Sequence, residues 1–580
     1  RERTLQPWQL AAERWNQDNR PADSSLLLSG EALREARSGF NPSLGSAVDL
    51  AFLEASERAA QPRTSRWDDP ERLQRVRLGT NLEEVGWGII FAQDAPPELR
   101  EALKELIEHR RSQAARYREQ FFHVFEGLAG YRPGDTARTW LRRSGVLGGL
   151  PNPETVPYYL LIVGSPQSIP FEFQYELDQQ YAVGRIYFER LEQYQSYARS
   201  VRVCEGGAVR LPPRAAIFSP RFQDDRATSL VVESYSRPLA ERLSASQNGW
   251  QVALITGEAA GKAALGGLMG GPETPALLVI NSWGAGERFP PQDPRDLGAV
   301  LCAEWPGPAV WSGPLKPDHY FAAADLADGG RLLGLVAAVS GNYTAGAPRE
   351  SDFAFYEERG RGIPPAGPVL SRLPLELLGH PRGGALAVIA HVDKVWTTSY
   401  YSESGKVDIG VYQELLERLM RGYTVGAAVE LLNQRYALFS SLLNDQLHKI
   451  YFQGQPVKRE SLQRMLLTAL DARNYILLGD PAARLPVDSA QTAAEFDPDW
   501  ERPEIEAVIP IQAQAVREPP AVPLPEPAEG ELWYTSGIDA LTGGYALAPV
   551  SGGQILEIAR GAYTGSAAQQ ADLPESQPHY

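Results

Sequence analysis

Seven short runs of this chain are apolar almost throughout: Tyr158–Val163, Ala215–Phe218, Val252–Ile255, Leu277–Ile280, Leu333–Val339, Ala385–Ala390 and Tyr475–Leu478. A strand with apolar side chains on successive residues has no face to offer water. Such strands belong in a parallel sheet covered by helices on both sides. Segments with helical spacing lie between them, among them Leu191–Val201, Thr228–Leu243, Val411–Met420 and Val425–Leu447. Strand–helix alternation sustained over roughly 330 residues predicts an α/β fold with right-handed crossovers.

The two ends are less regular. Residues 1–150 are expected to form a mostly helical N-terminal region. One helix opens at Pro97 with Leu99, Leu103 and Leu106 on one side, and a second fits Asp135–Arg143 before Gly145. The charged continuation of the first helix through Arg118 predicts a surface helix, with Arg110-Arg111 and Arg142-Arg143 on solvated faces. After Pro486, residues 487–530 are rich in Pro, Ala and Glu and read as an extended linker. A small module is expected at 531–563, with Trp533, Tyr534, Ile538, Tyr545 and Leu547 as its apolar face and Ser551 with Gln554 as a capping box. A segment of that size rarely folds alone, so it either docks back or awaits a partner. Residues 564–580 read as a tail.

Composition narrows the function classes. The formal charge of −16 over 580 residues argues against a nucleic-acid surface, which needs a basic excess. The two cysteines, Cys204 and Cys302, suggest no disulfide framework and lead to the expectation of a reducing, cytoplasmic setting. Secretion stays open because the chain begins at Arg1 rather than Met. No apolar run reaches the length of about 18 residues that a membrane span requires.

Four motifs in order carry a family resemblance. Tyr159-Leu160-Leu161-Ile162-Val163-Gly164-Ser165-Pro166 with Ile169-Pro170 is similar to a strand and turn of the gingipain-type cysteine peptidases, relatives of the CHAT and caspase-like proteins. Tyr181-Ala182-Val183-Gly184-Arg185-Ile186 before Glu192, Gly383-Gly384-Ala385-Leu386-Ala387-Val388-Ile389, and Asn474 to Pro481 with Arg484-Leu485-Pro486 resemble further elements of that family. The resemblance covers roughly residues 150–486. It implies two adjoining α/β subdomains, with a first core at 151–205 that takes in parts of 1–150, and a caspase-like part at 206–486. It also implies a His–Cys dyad at the carboxyl ends of neighbouring strands, where open α/β sheets place their sites.

At the corresponding turns this chain carries Trp283 for the His and Asn342 for the Cys, 59 residues apart. Indole has no basic nitrogen to take a thiol proton, and a carboxamide is a poor nucleophile. The expectation is therefore a catalytically inactive pseudopeptidase with Trp283 filling the cleft and Ser282, Gly284, Ser340 and Tyr343 around it. It would act as a protein-binding or scaffold component, with a protein or peptide partner, an active homologue among the expected ones. The alternative is an active cysteine or serine peptidase using Cys302, or Ser282 or Ser340 with His391. Asp224, Asp225, Glu287 and Asp293 are either ordinary surface acids or the lining of a pocket for basic side chains. Asp480 is expected to cap a turn. With no CxxC, no HExxH and no phosphate-loop frame, neither a metal nor another cofactor is expected.

Overall fold

The computed structural model describes residues 7–17, 26–28, 36–37, 40, 46–60, 81–116, 118–146, 151–245, 249–353, 367–400 and 407–487. The expected linker, small module and tail lie outside these, except for Val487. The chain divides into two compact units, residues 1–79 and 80–580. In the first, helices Pro7–Gln17 and Ala47–Ala60 pack through Trp15 and Phe52, whose rings meet edge to face at 5.5 Å.

The second unit is built on one ten-stranded sheet. In chain order its strands are β1 Trp87–Phe91, β2 Phe122–Phe125, β3 Tyr159–Val163, β4 Ala182–Ile186 and β5 Arg214–Ser219. They continue with β6 Gln251–Thr256, β7 Leu277–Asn281, β8 Val336–Ser340, β9 Ala387–His391 and β10 Tyr475–Gly479. Across the sheet the order is β2-β1-β3-β4-β10-β9-β8-β7-β5-β6. Every neighbouring pair is parallel except β9 with β10. β10 follows helix Arg459–Asn474 directly, with no loop before Tyr475. All five residues of β3 and of β7 are buried, as doubly covered strands require.

Two halves of the sheet adjoin between β4 and β10, where the register holds a single pair, Arg185 with Leu478. Gly184 makes this seam feasible: a Cβ there would lie 2.1 Å from the Gly479 carbonyl oxygen. The resemblance implied two subdomains, and the halves share a continuous sheet.

β1 and β2 come from within residues 1–150, beside β3 in the sheet, and β2 is short and only partly buried. One expectation for this region needs correction. The helix Lys104–Ala114 is not solvated all round, since Arg110 is completely buried. Its Nε–H donates to Asp480 Oδ2 at 2.7 Å, and its terminal nitrogens donate to Glu205 at 2.6 and 2.7 Å. The Trp87 indole N–H donates to the other oxygen of Asp480 at 3.0 Å. Asp480 does cap its turn, accepting from the Ala482 N–H, and it is also the anion of a buried junction. That junction joins β1, the turn after β10 and helix Leu191–Glu205.

Candidate functional site

β7 and β8 run side by side in parallel, and their last residues, Asn281 and Ser340, are register partners. The chain therefore leaves both strands at one edge of the sheet, and the two following turns are forced together. Gly284 sits so close to the second turn that a Cβ would lie 1.9 Å from the Asn342 carbonyl oxygen. Between the turns is a crevice of about 40 Å³ lined by Asn281, Ser282, Trp283, Ser340, Gly341 and Asn342, with Thr228, Thr397 and Tyr400 among its other walls. Sequence reasoning placed Trp283, Ser282, Ser340 and Asn342 here, and the fold brings all four together. Tyr343 does not line it: its side chain is buried and its hydroxyl donates to Glu287 at 3.3 Å.

Trp283 is fixed from three directions. Its indole N–H donates to Asp225 Oδ2 at 2.7 Å. Its ring meets Phe289 edge to face at 5.4 Å, and the Arg288 guanidinium lies 5.4 Å from its centroid. Asp225 is itself saturated, because it caps helix Arg226–Val231 by accepting from the Ala227 and Thr228 N–H groups and the Thr228 hydroxyl. Asp-x-x-Thr ahead of an apolar segment is the signal that could have marked this cap in the sequence.

The remaining polar groups are held by neutral neighbours. The Ser282 hydroxyl donates to the Leu301 carbonyl at 2.7 Å. Asn342 Oδ1 accepts the Val395 N–H at 2.9 Å. Ser340 Oγ sits between the hydroxyls of Tyr400 at 2.9 Å and Tyr475 at 2.8 Å. Burial pushes both phenols above their ordinary range, so neither serves as a base near neutrality. Tyr400 and Tyr475 were not found from sequence, since each comes from a distant part of the chain.

The fallback catalytic groups do not assemble. His391 does end β9 at the same edge, as expected, but its ring is fully buried. Nδ1 lies 3.3 Å from the Asp393 carbonyl oxygen, and Nε2 lies 3.2 Å from the Asp471 carbonyl oxygen and 3.5 Å from its carboxylate, so neither ring nitrogen faces a serine. Burial draws its pKa down to about 4, against weaker opposing effects from those carbonyls. Cys302 is also fully buried, with Sγ 3.5 Å from the Val300 carbonyl oxygen, and burial raises its thiol well above the ordinary range.

Three of the four acids weighed as a pocket or as ordinary surface acids have partners of their own: Glu287 pairs with Lys394 at 2.6 Å and Asp293 with Arg295 at 2.6 Å, while Asp225 holds the indole. Among the described residues no three His, Cys, Asp or Glu side chains group as metal ligands, and no helix is long and apolar enough to cross a membrane.

No family model matches the chain, and no curated protein does. Among solved structures it is similar to the Arg-specific cysteine proteinase gingipain R (RgpB), at 12% identity over 69% of this chain and 78% of that one, with a TM-score of 0.40. A complex of the Porphyromonas gingivalis RgpB pro- and mature domains matches at 11% identity over 69% and 80%, with a TM-score of 0.39. A third structure, of a protease, matches at 10% over 70% and 80%, with a TM-score of 0.41.

Proposed function

We propose that this protein is a peptidase-like α/β protein of the gingipain and caspase-like kind that has lost peptidase activity and acts as a protein-binding or scaffold component. The observation that carries the reading is the anchored indole of Trp283, tied to Asp225 at 2.7 Å in the crevice at the ends of β7 and β8. A hydrolase needs a nucleophile within about 3 Å of a base that can take its proton. Here Ser340 has two neutral phenols as partners, Ser282 a carbonyl, and His391 two carbonyls and the Asp471 carboxylate, with no serine beside it. The crevice of about 40 Å³ has room for roughly three waters.

The test is labelling of the whole chain with a thiol-directed peptidyl ketone and a serine-directed fluorophosphonate, alongside a peptide library. Neither probe should attach at Cys302, Ser282 or Ser340, and the library should remain intact. Cleavage of any library peptide, abolished by Cys302→Ala or His391→Gln, would overturn the proposal in favour of an active peptidase. The binding role is read separately, from the proteins that co-purify with the chain and whether Trp283→Arg displaces them.

A further inference from the structure

The formal charge of −16 conceals one local reversal. Helices Val425–Gln453 and Arg459–Asn474 form a hairpin whose inner faces meet through Phe439, Leu443, Met465 and Leu466. Leu443 is the last buried residue of the first helix and Met465 the first of the second, so residues 444–464 form an arm without a buried residue. The first helix runs on for about ten residues past Leu443, roughly 15 Å. Its end is closed: Gly454 takes a φ of 62°, and the Gln455 N–H donates to the Lys449 carbonyl at 3.0 Å. A Cβ at Gly454 would meet nothing within 4 Å, so glycine is used here for the turn alone.

The tip of the arm combines an exposed ring with cations. Phe452 is 77% exposed, more than any other large apolar side chain among the described residues. The His448 ring lies 4.9 Å from it, and Ile450 and Val457 are only half-buried. Between Gln446 and Arg459 stand Lys449, Lys458 and Arg459, and the nearest acids in sequence, Asp445 and Glu460, lie just outside the stretch. The C-terminal end of one helix and the N-terminal end of the next meet at this tip. Their dipoles therefore largely cancel, and the side chains set its charge.

We propose that residues 446–459 dock the protein on an anionic phospholipid surface. Phe452 enters the headgroup layer, and Lys449, Lys458 and Arg459 meet the phosphate and carboxylate groups around it, their aliphatic stems lying along the apolar boundary. A projecting tip suits a lipid surface better than a folded partner, because a protein needs a matching pocket for an exposed ring and a headgroup layer does not. The charge is complementary as well: each Lys or Arg near an anionic leaflet strengthens binding severalfold, and three act together. The acidic remainder of the chain opposes approach only weakly. Charges beyond about 8 Å are screened at physiological salt, and the arm carries its tip roughly 15 Å past the last buried residue of its first helix. One ring and three cations give reversible attachment rather than anchoring.

The experiment is co-sedimentation of the full chain with vesicles of phosphatidylcholine, alone or mixed with an equal part of phosphatidylserine. The chain should sediment with the mixed vesicles at low salt, bind pure phosphatidylcholine at least about tenfold more weakly, and be released as salt is raised. Phe452→Ser and the double variant Lys458→Gln with Arg459→Gln should each weaken binding by roughly fivefold to tenfold, and only the double variant should flatten the salt dependence. Leu128→Ser, at a side chain 72% exposed elsewhere in the molecule, should bind as the unaltered chain does. All four positions are exposed, so far-ultraviolet circular dichroism should be the same for every variant. The proposal is overturned if the unaltered chain stays in the supernatant with mixed vesicles or binds both vesicle types alike. It is also overturned if Phe452→Ser and the double variant bind as tightly as the unaltered chain. Self-association abolished by Phe452→Ser, without vesicle binding, would likewise overturn it and assign the tip to a second copy.

Discussion

At the junction around Arg110, two carboxylates and a guanidinium are taken almost completely out of water and paired with one another. At the crevice beside Trp283, an indole, two serines and two carboxamides face each other, and the one carboxylate in reach is occupied by the indole and a helix cap. Working enzymes usually gather perturbed ionisable groups at the cleft. In this molecule a desolvated ionic pairing lies in a buried joint of the scaffold, while the crevice at the ends of β7 and β8 is lined mostly by hydroxyls, carboxamides and the indole, with Asp225 as the indole's acceptor. The contrast is between a charged joint and a largely uncharged crevice.

The sharpest way to break that contrast is Arg110→Ala. It leaves Asp480 and Glu205 buried without their cation, and stability should fall by about 3–5 kcal/mol. Urea unfolding of the full chain measures this. The triple variant Arg110→Met, Asp480→Asn, Glu205→Gln should recover a large part of the loss, because no buried charge remains unpaired. A loss below about 1 kcal/mol for Arg110→Ala would mean that water reaches the junction and that the comparison is drawn in the wrong place.

The junction was also the part least legible in the sequence. Arg110 belongs to a densely charged helix, and its partner Asp480 is 370 residues away. Helical periodicity carries no information about such a pairing, so Arg110 was placed on a solvated face. By contrast the doubly buried strands announced themselves through uninterrupted apolar runs, and with them the parallel sheet and the edge where its crevice lies. The turn residues Trp283, Ser282, Ser340 and Asn342 were found because they follow those strands directly. What encloses them comes from three remote segments: Tyr400 and Tyr475 were missed for the same reason as the pairing of Asp480, and Asp225 was named as an acid but not as the partner of the indole. His391 shows the intermediate case: its position at the strand end was readable, but the complete burial of its ring was not.

Acid titration sharpens the same comparison with a smaller effect. Burial holds the folded His391 pKa at about 4, against an ordinary 6.5, so unfolding takes up a proton below pH 6.5. The stability tied to its neutral form is fully present above pH 6.5 and is lost as pH falls through about 4. Glu205 behaves likewise at lower pH. Burial alone would raise its pKa, but the Arg110 charge and the hydrogen bonds of His109, Arg110 and Gln113 bring it to about 2 from an ordinary 4.5. Its contribution is present above pH 4.5 and lost towards pH 2. The fall between pH 6.5 and 4.5 should therefore flatten in His391→Gln, by about 2–3 kcal/mol over the window, whereas the fall below 4.5 should persist. An unchanged slope between pH 6.5 and 4.5 in that variant would remove His391 from the buried, neutral class.

Trp283→Phe probes the crevice with the smallest change. A smaller aromatic ring remains to pack against Phe289 and Arg288, and the indole N–H to Asp225 is lost. Asp225 keeps its donors from Ala227 and Thr228, so it is not stranded, and the expected cost is about 1–2 kcal/mol. Trp283→Ala should cost more, because it also removes ring contacts, and should widen the crevice enough to admit a small apolar probe detected by fluorescence. Neither variant should gain hydrolysis, since opening the crevice supplies no base to Ser340. If Trp283→Phe matched Arg110→Ala in unfolding experiments, the indole would belong with the scaffold's structural joints. A small loss together with a newly accessible crevice would instead place it as a plug, held by one hydrogen bond over a site whose framework does not depend on it.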